Sequence, residues 1–310
     1  MQEHRATWTA YFRAVGYPGV QPLGAGMEGA VYRLRDGLIA KVWASRSTDD
    51  LVRLQQFYRD LASAGIGIAT PEIGEIRRVG DAAVSFEREL PGRPLSEYLT
   101  QADPVAPSAA QDALISVLRA FAALPATPSA RALGVLGGRQ PLWHGTQGWA
   151  DALADLIVKR VSSFGDQLRR QVTHFDAKLE RLLRLVHALE VPLSVLHGDL
   201  VPANVLVDPS LRTVAVVDFG FLSTAGDPAM DAALAASCFN MYGPHAQAID
   251  DQLTTTFVDA LGHPRERLTL YKAAYAAITS NCYDPSGKDG HFRWCVQMLD
   301  REDVAALLLG

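Results

Sequence analysis

A chain of 310 residues is long enough for two lobes and a substantial core. Its formal net charge of −5 excludes the basic footprint of a nucleic-acid binder, and no run of about 18 apolar residues is present, so no membrane span is expected. The start, Met1-Gln2-Glu3-His4-Arg5, has no apolar signal-peptide core, and Cys238, Cys282 and Cys295 are widely spaced, fit no metal motif and read as reduced thiols, which points to the cytoplasm.

Residues 1–16 predict a short helix whose apolar face is Trp8, Tyr11 and Phe12. The next segment, Leu23 to Tyr32 with Met27 and Glu28 at its middle, holds Gly24, Gly26 and Gly29 in a G-x-G-x-x-G pattern. A dinucleotide-binding loop of that pattern opens a helix. Here Ala30-Val31-Tyr32-Arg33-Leu34, then Asp36-Gly37, then Leu38 to Trp43 predict strand, tight turn and strand. A glycine loop between strands leaves backbone N–H groups free to meet phosphates; a plain hairpin with small residues is the simpler alternative. Lys41, flanked by Ala40 and Val42, either faces solvent or meets a buried anion, and beside a glycine loop that anion is a phosphate.

Leu51, Leu54, Phe57, Tyr58 and Leu61 predict a helix over 49–64, ended by Gly65-Ile66-Gly67 and Pro71. Residues 72–90 predict a strand pair, and Pro91-Gly92-Arg93-Pro94 reads as a connector between lobes. Helices are predicted near 109–124, 147–170 and 174–190. The loop 125–146 is long enough to be functional or mobile, and Trp143 and His144 within it read as packing or surface residues. Asp227 and Pro228 predict a helix start, and further helices fill 245–310.

Two stretches carry chemistry: His197-Gly198-Asp199-Leu200-Val201-Pro202-Ala203-Asn204 and Val217-Asp218-Phe219-Gly220. Val205-Leu206-Val207 and Thr213 to Val217 are β-branched runs separated by the turn signal Asp208-Pro209-Ser210, so a hairpin is predicted. Asn204 precedes its first strand and Asp218 follows its second. In an antiparallel pair those positions share one end, on strands roughly 5 Å apart. An amide oxygen beside a carboxylate suits Mg²⁺. Asp199 lies near that metal without having to bind it, where a base for a hydroxyl belongs. Singly, each is an ordinary turn residue; together they point to phosphoryl transfer from a metal-bound nucleotide.

These motifs together resemble the aminoglycoside phosphotransferase family, the small-molecule branch of the protein-kinase-like fold, from Gly24 to about Asp231. The family's H-G-D-x-x-x-x-N loop matches His197 to Asn204, its metal motif matches Asp218, and its G-D-P-x-x-D segment matches Gly226 to Asp231. Gly198, in place of the Arg of eukaryotic protein kinases, favours a small-molecule acceptor. The resemblance implies an α+β, two-lobed fold: residues 1–90 as an N-lobe with a small antiparallel sheet, residues 91–310 as a larger, mostly helical C-lobe. It implies ATP or GTP with Mg²⁺ as cofactors and Asp199 as catalytic base. Asn204 and Asp218 would bind the metal, and Gly24, Gly26, Gly29 and Lys41 would meet the phosphates. Glu87, Glu89 and Leu90 would form the adenine connector, and His197 and Asp231 would brace the catalytic loop. One departure stands out. The family pairs the strand Lys with a Glu on the first N-lobe helix, and no Glu lies between Ser47 and Pro71. Asp49 and Asp50 read as helix N-terminal residues, so the partner of Lys41 is left open.

Charge bears on the acceptor. Residues 1–220 carry 23 acids and 23 bases, whereas residues 221–310 carry 11 acids and 6 bases. Such an excess is either solvated surface or an attraction for a cationic substrate. The leading expectation is a kinase acting on a hydroxyl of a small cationic molecule, such as an aminoglycoside or another amine-rich antibiotic, giving resistance by inactivation. The same machinery suits a metabolic kinase for choline, homoserine or an amino sugar. The missing helix Glu leaves a non-catalytic binding module as a third reading. No nucleic-acid or membrane partner is expected.

Overall fold

The structure, a computed structural model, describes every residue except Met1, Met27 and Arg139, and no side chain of residues 2–4. The start of the expected first helix and the middle of the expected glycine loop therefore lie partly outside the described residues. Helix α1 (Gln2–Ala14) lays Trp8 and Phe12 on a five-stranded antiparallel sheet of β1 (Gln21–Gly26), β2 (Gly29–Arg35), β3 (Leu38–Trp43), β4 (Ile73–Val79) and β5 (Ala82–Arg88), in the order β1-β2-β3-β5-β4. Alternation of side chains puts Tyr32, Leu34, Ala40, Val42, Val84 and Phe86 on the α1 side, where they form a small core of their own. Phe12 packs 5.3 Å from the Tyr32 ring at its centre.

Helix α2 (Thr48–Ala64) starts at a capping box: Ser47 Oγ accepts from the Asp50 N–H, and the Asp50 carboxylate accepts from the Ser47 N–H at 2.9 Å. Its buried stripe is Leu51, Leu54, Phe57, Tyr58 and Leu61, as predicted. Beyond the sheet the connector becomes β6 (Arg93–Pro94). It joins a three-stranded sheet, and four further short strands follow: β7 (Ser194–Leu196), β8 (Val205–Val207), β9 (Thr213–Val216) and β10 (Thr224–Gly226). The small sheets are β6-β8-β9 and β7-β10, so the connector is pinned directly to the predicted hairpin, with Arg93 opposite Val207.

The remainder is helical: α3 (Ser108–Ala122), α4 (Pro128–Arg131), α5 (Trp149–Gln171), α6 (Phe175–His187), α7 (Pro228–Ser237), α8 (Ala246–Leu261), α9 (Arg265–Thr279), α10 (Gly290–Asp300) and α11 (Glu302–Leu309). Helix α7 is buried on nearly every side, which its run of alanines permits. The long 125–146 loop is tied down. Leu136 N–H donates to Phe221 O at 2.6 Å, and the buried Trp143 donates from Nε1 to Ala225 O at 3.0 Å; His144 is exposed. The architecture is thus the expected two-lobed, protein-kinase-like one. No helix among the described residues is long and apolar enough to cross a membrane.

Candidate active site

Strands β8 and β9 pair antiparallel with Val205 opposite Val216. One step further, Val217 N–H donates to Asn204 O at 2.9 Å. Asn204 and Asp218 therefore sit at the same end of the hairpin, as the spacing predicts. Asn204 ends a 3₁₀ turn, Pro202–Asn204, and its Nδ2 donates to the Asp199 carbonyl at 2.9 Å and to Asp199 Oδ2 at 3.1 Å. That side chain closes the whole Asp199–Asn204 loop. Asp218 adopts φ 67°, a left-handed conformation that costs a non-glycine residue about 1–3 kcal/mol. Lys41 Nζ lies 2.5 Å from its Oδ1.

The loop is braced from beneath. Asp231 on α7, almost fully buried, accepts from the N–H groups of His197 at 2.7 Å and Gly198 at 2.8 Å. His197 is fully buried and burial pulls its pKa down to about 4, so the ring is neutral at pH 7. Its contacts fix the tautomer: Nε2–H donates to Val217 O at 3.0 Å, and Nδ1 accepts from the Asp199 N–H at 3.3 Å. Gly198 has φ 75°, and a Cβ there would lie 2.2 Å from the Leu222 carbonyl carbon. No side chain fits at this point of the loop. Phe219 packs on His197 at 4.3 Å between ring centres and also meets Phe57, Tyr58 and Phe121. One aromatic knot thus joins α2, α3 and both motifs.

Lys41 faces Ser85 across the β3–β5 pair and sits 4.0 Å over the Trp43 ring. Its anionic partners are Asp218 and Glu28, the latter at 3.3 Å. Burial alone would lower its pKa; the two carboxylates outweigh burial and raise it. On α2, Phe57 and Tyr58 pack against Phe219, and the acid that meets Lys41 besides Asp218 comes from the glycine hairpin. Arg46 joins it: its Nη2 lies 2.9 Å from Glu28 Oε1. Neither Glu28 nor Arg46 stands out in the sequence. The one available signal was an acid inside a glycine loop, at a position that admits any residue.

The glycine pattern forms the β1–β2 hairpin, with Gly26 opposite Gly29 and Glu28 in the turn between them. Gly29 adopts φ 146°, and a Cβ there would lie 1.9 Å from Val42 O. Around Gly24 and Gly26 the corresponding space is open. From this turn Glu28 reaches Lys41 Nζ. At the connector, Glu87 is buried and takes a 2.5 Å hydrogen bond from Ser85, itself held by Trp43 Nε1 at 2.8 Å; burial pushes its carboxyl up. Glu89 gives its N–H to Gly37 O at 3.1 Å and receives Arg33 Nε at 2.9 Å. Half-buried Leu90 follows.

Asp199 opens onto a cavity of about 380 Å³. Burial, then the charges of Asp218 and Glu28, push its carboxyl up to about 7. The walls are mostly aliphatic and aromatic: Val105, Val201, Phe239, Met241, Tyr275 and Tyr283 among them. Asp103 and Asp199 are the acids that line it. The acidic excess of residues 221–310 does not gather here, contrary to the reasoning from charge. Asp227 caps α7 and accepts from Tyr271, Asp231 braces the loop, and Asp250 holds Lys272. Asp284 closes its own turn, Asp289 caps α10, and Asp300 and Asp303 pair with Lys178 and Arg301. These seven acids are engaged within the fold, and none of them lines the cavity.

Residues 19–270 match the family model described as the phosphotransferase enzyme family. No curated protein matches the chain. Among solved structures, the macrolide 2′-phosphotransferase MphH of Brachybacterium faecium is 20% identical, with 95% of this chain and 98% of that one covered at a TM-score of 0.58. The aminoglycoside phosphotransferase APH(3″)-Id of Streptomyces rimosus, solved with ADP and streptomycin, is 19% identical over 86% of this chain and 95% of its own, with a TM-score of 0.54. The GDP complex of aminoglycoside 2′-phosphotransferase-IIIa is 14% identical over 98% of each chain, with a TM-score of 0.61. At such identities these likenesses establish the fold, and the family match covers most of the sequence. The chain belongs to the phosphotransferase enzyme family.

Proposed function

We propose that the chain is a kinase that moves the terminal phosphoryl group of Mg²⁺-bound ATP or GTP to a hydroxyl of a small molecule. One observation supports this most: a continuous run of contacts from Asp199 to Asn204, from Asn204 to Val217, and from Asp218 to Lys41. On this reading residues 1–90 hold the nucleotide and residues 91–310 hold the alcohol. Gly24, Gly26 and Gly29 cover the phosphates, Lys41 neutralises one of them, and Glu87 to Leu90 flank the base.

Among the described residues, no cluster of three or more His, Cys, Asp or Glu side chains is placed to hold a metal. Mg²⁺ is commonly held by one or two protein oxygens together with substrate phosphates and waters, and the donors here fit that need. Asn204 engages its Nδ2 with Asp199, which leaves Oδ1 as its metal donor, and Asp218 adds a carboxylate. The bound ion would supply charge neutralisation at the phosphates. Asp199 takes the hydroxyl proton: a carboxyl raised to about 7 is a better base near neutral pH than an ordinary Asp. The Asn204 amide aims it, and His197 and Asp231 hold the loop that carries it.

The cavity favours an alcohol with a broad apolar face and few charges. Of the acceptor classes named by the similar structures, a macrolide suits these walls better than an aminoglycoside, whose several amines call for several carboxylates. Antibiotic inactivation fits either class. The test is turnover by purified protein with Mg²⁺, ATP or GTP, and a panel of macrolides, aminoglycosides and simple amino alcohols. A phosphate ester on a macrolide is expected. Turnover confined to aminoglycosides would reverse the acceptor reading and keep the kinase. Background nucleotide consumption with every alcohol would favour a binding module.

A further inference from the structure

Arg46 and Glu28 have no place in the reading so far, yet they touch its centre. Four alternating charges run in a line: Arg46, Glu28, Lys41, Asp218. Glu28 bridges the two cations, with Oε1 2.9 Å from Arg46 Nη2 and Oε2 3.3 Å from Lys41 Nζ. The Arg46 and Lys41 side chains are each 12% exposed and Glu28 27%, so this is no solvated surface pair. Arg46 is also placed tightly. Its guanidinium packs on Gly220, two residues past Asp218, in the space a Cβ would fill, with Nη2 1.8 Å from that position. Two cations that share one carboxylate are spaced to share the oxygens of a phosphoryl group.

We propose that Arg46 is a second phosphate-binding cation of this site, and that Glu28 is a built-in carboxylate that occupies both cations until a nucleotide displaces it. The inference rests on the nucleotide reading above. A phosphate arriving beside Lys41 brings like charge against Glu28, so the carboxylate must leave as the phosphate binds. It has somewhere to go. Glu28 lines a cavity of about 250 Å³ whose other lining residues include Arg46, Arg160 and Asn281. Glu28 lies in the β1–β2 turn beside Gly29, so the displaced carboxylate belongs to the glycine hairpin itself. Arg46 then adds a fixed positive charge where the transferred group passes, the role an arginine supplied in cis plays in other phosphoryl transfers.

The test is calorimetric titration of a Mg²⁺-bound, non-hydrolysable triphosphate analogue into wild type and into Glu28→Gln, Arg46→Gln, Arg46→Lys and the double variant, with thermal melting as a control for folding. Removing the competing carboxylate should tighten the analogue about threefold or more, and removing the cation should weaken it about tenfold, with Arg46→Lys in between. The double variant separates a phosphate contact from a structural one. If Arg46 only holds Glu28, its loss costs nothing once Glu28 is gone; the proposal expects the same tenfold loss from Glu28→Gln to the double variant. Weaker binding by Glu28→Gln, or equal binding by Glu28→Gln and the double variant, would overturn it. A wild-type chain that binds no nucleotide would remove the nucleotide reading itself, which is a different result.

Discussion

At the scale of single residues, the site keeps a carboxyl where solvation disfavours it. Asp199 is raised from 3.8 to about 7 by burial and by the charges of Asp218 and Glu28. The folded chain therefore holds a proton that the unfolded chain has released between these values, so this group's contribution to stability falls as pH rises through the window. Asp231, raised to about 6, acts in the same sense; His197, lowered to about 4, acts in the opposite one. Both are shared by a variant at position 199 and cancel in the comparison. Asp199→Asn should thus melt at a higher temperature than wild type near pH 8 and show a clearly smaller gain near pH 5, where only part of the window has been crossed. Melting curves at the two pH values decide this: an equal gain at both, or a loss near pH 8, is incompatible with a carboxylate strained by its surroundings. Positions 198, 199, 204 and 218 were legible because their spacing is fixed by a loop and a hairpin. Glu28 and Arg46 were not, because their partners arrive from other elements.

At the scale of elements, two devices carry most of the organisation. The first is the β8–β9 hairpin, which brings Asn204 and Asp218 to one end and on which the connector strand β6 is pinned. The second is a buried ionic cluster that ties α8, α9 and α11 together. Asp250 on α8, 3% exposed, takes Lys272 Nζ of α9 at 2.7 Å and an Arg301 Nη1 contact from the start of α11. Removing Asp250 leaves the fully buried Lys272 without its counter-charge, while Arg301 keeps Asp303, so Asp250→Ala should lose about 3–5 kcal/mol of stability in urea unfolding. Nucleotide affinity should be unchanged, since no member of the cluster belongs to the site. A loss below about 1 kcal/mol would show the cluster to be surface-like. The long periodic helices and the strands β2, β3 and β5 were readable from side-chain pattern. The strands β7 and β10 were not. Each is three residues long, and they pair across nearly thirty residues of chain, with Thr224 opposite Leu196. That pairing is a tertiary fact with no local signature.

At the scale of the whole molecule, the two-lobed architecture followed from motif order, and the structure agrees. The acceptor did not follow. Eleven acids in the last ninety residues look alike in one dimension, but in space seven of them cap helices, brace the 197–198 backbone, close turns or pair with Lys178, Lys272 and Arg301. The cavity beside Asp199 is walled mostly by apolar and aromatic side chains drawn from segments as distant as Val105 and Tyr283, with Ser96, Thr100, Gln101, Asp103 and Asn240 also lining it. Substrate preference lies in that assembly of surfaces, which sequence order conceals.

The central claim is that Asp199, Asn204 and Asp218 meet where a nucleotide's terminal phosphate meets an alcohol, with Asp199 as the base. It is tested most directly by phosphorus NMR of phosphate transfer in wild type and Asp199→Asn, with nucleotide affinity measured alongside. The account predicts affinity within about twofold of wild type and a loss of transfer of about a hundredfold or more. An Asp199→Asn variant that transfers phosphate at the wild-type rate would contradict it.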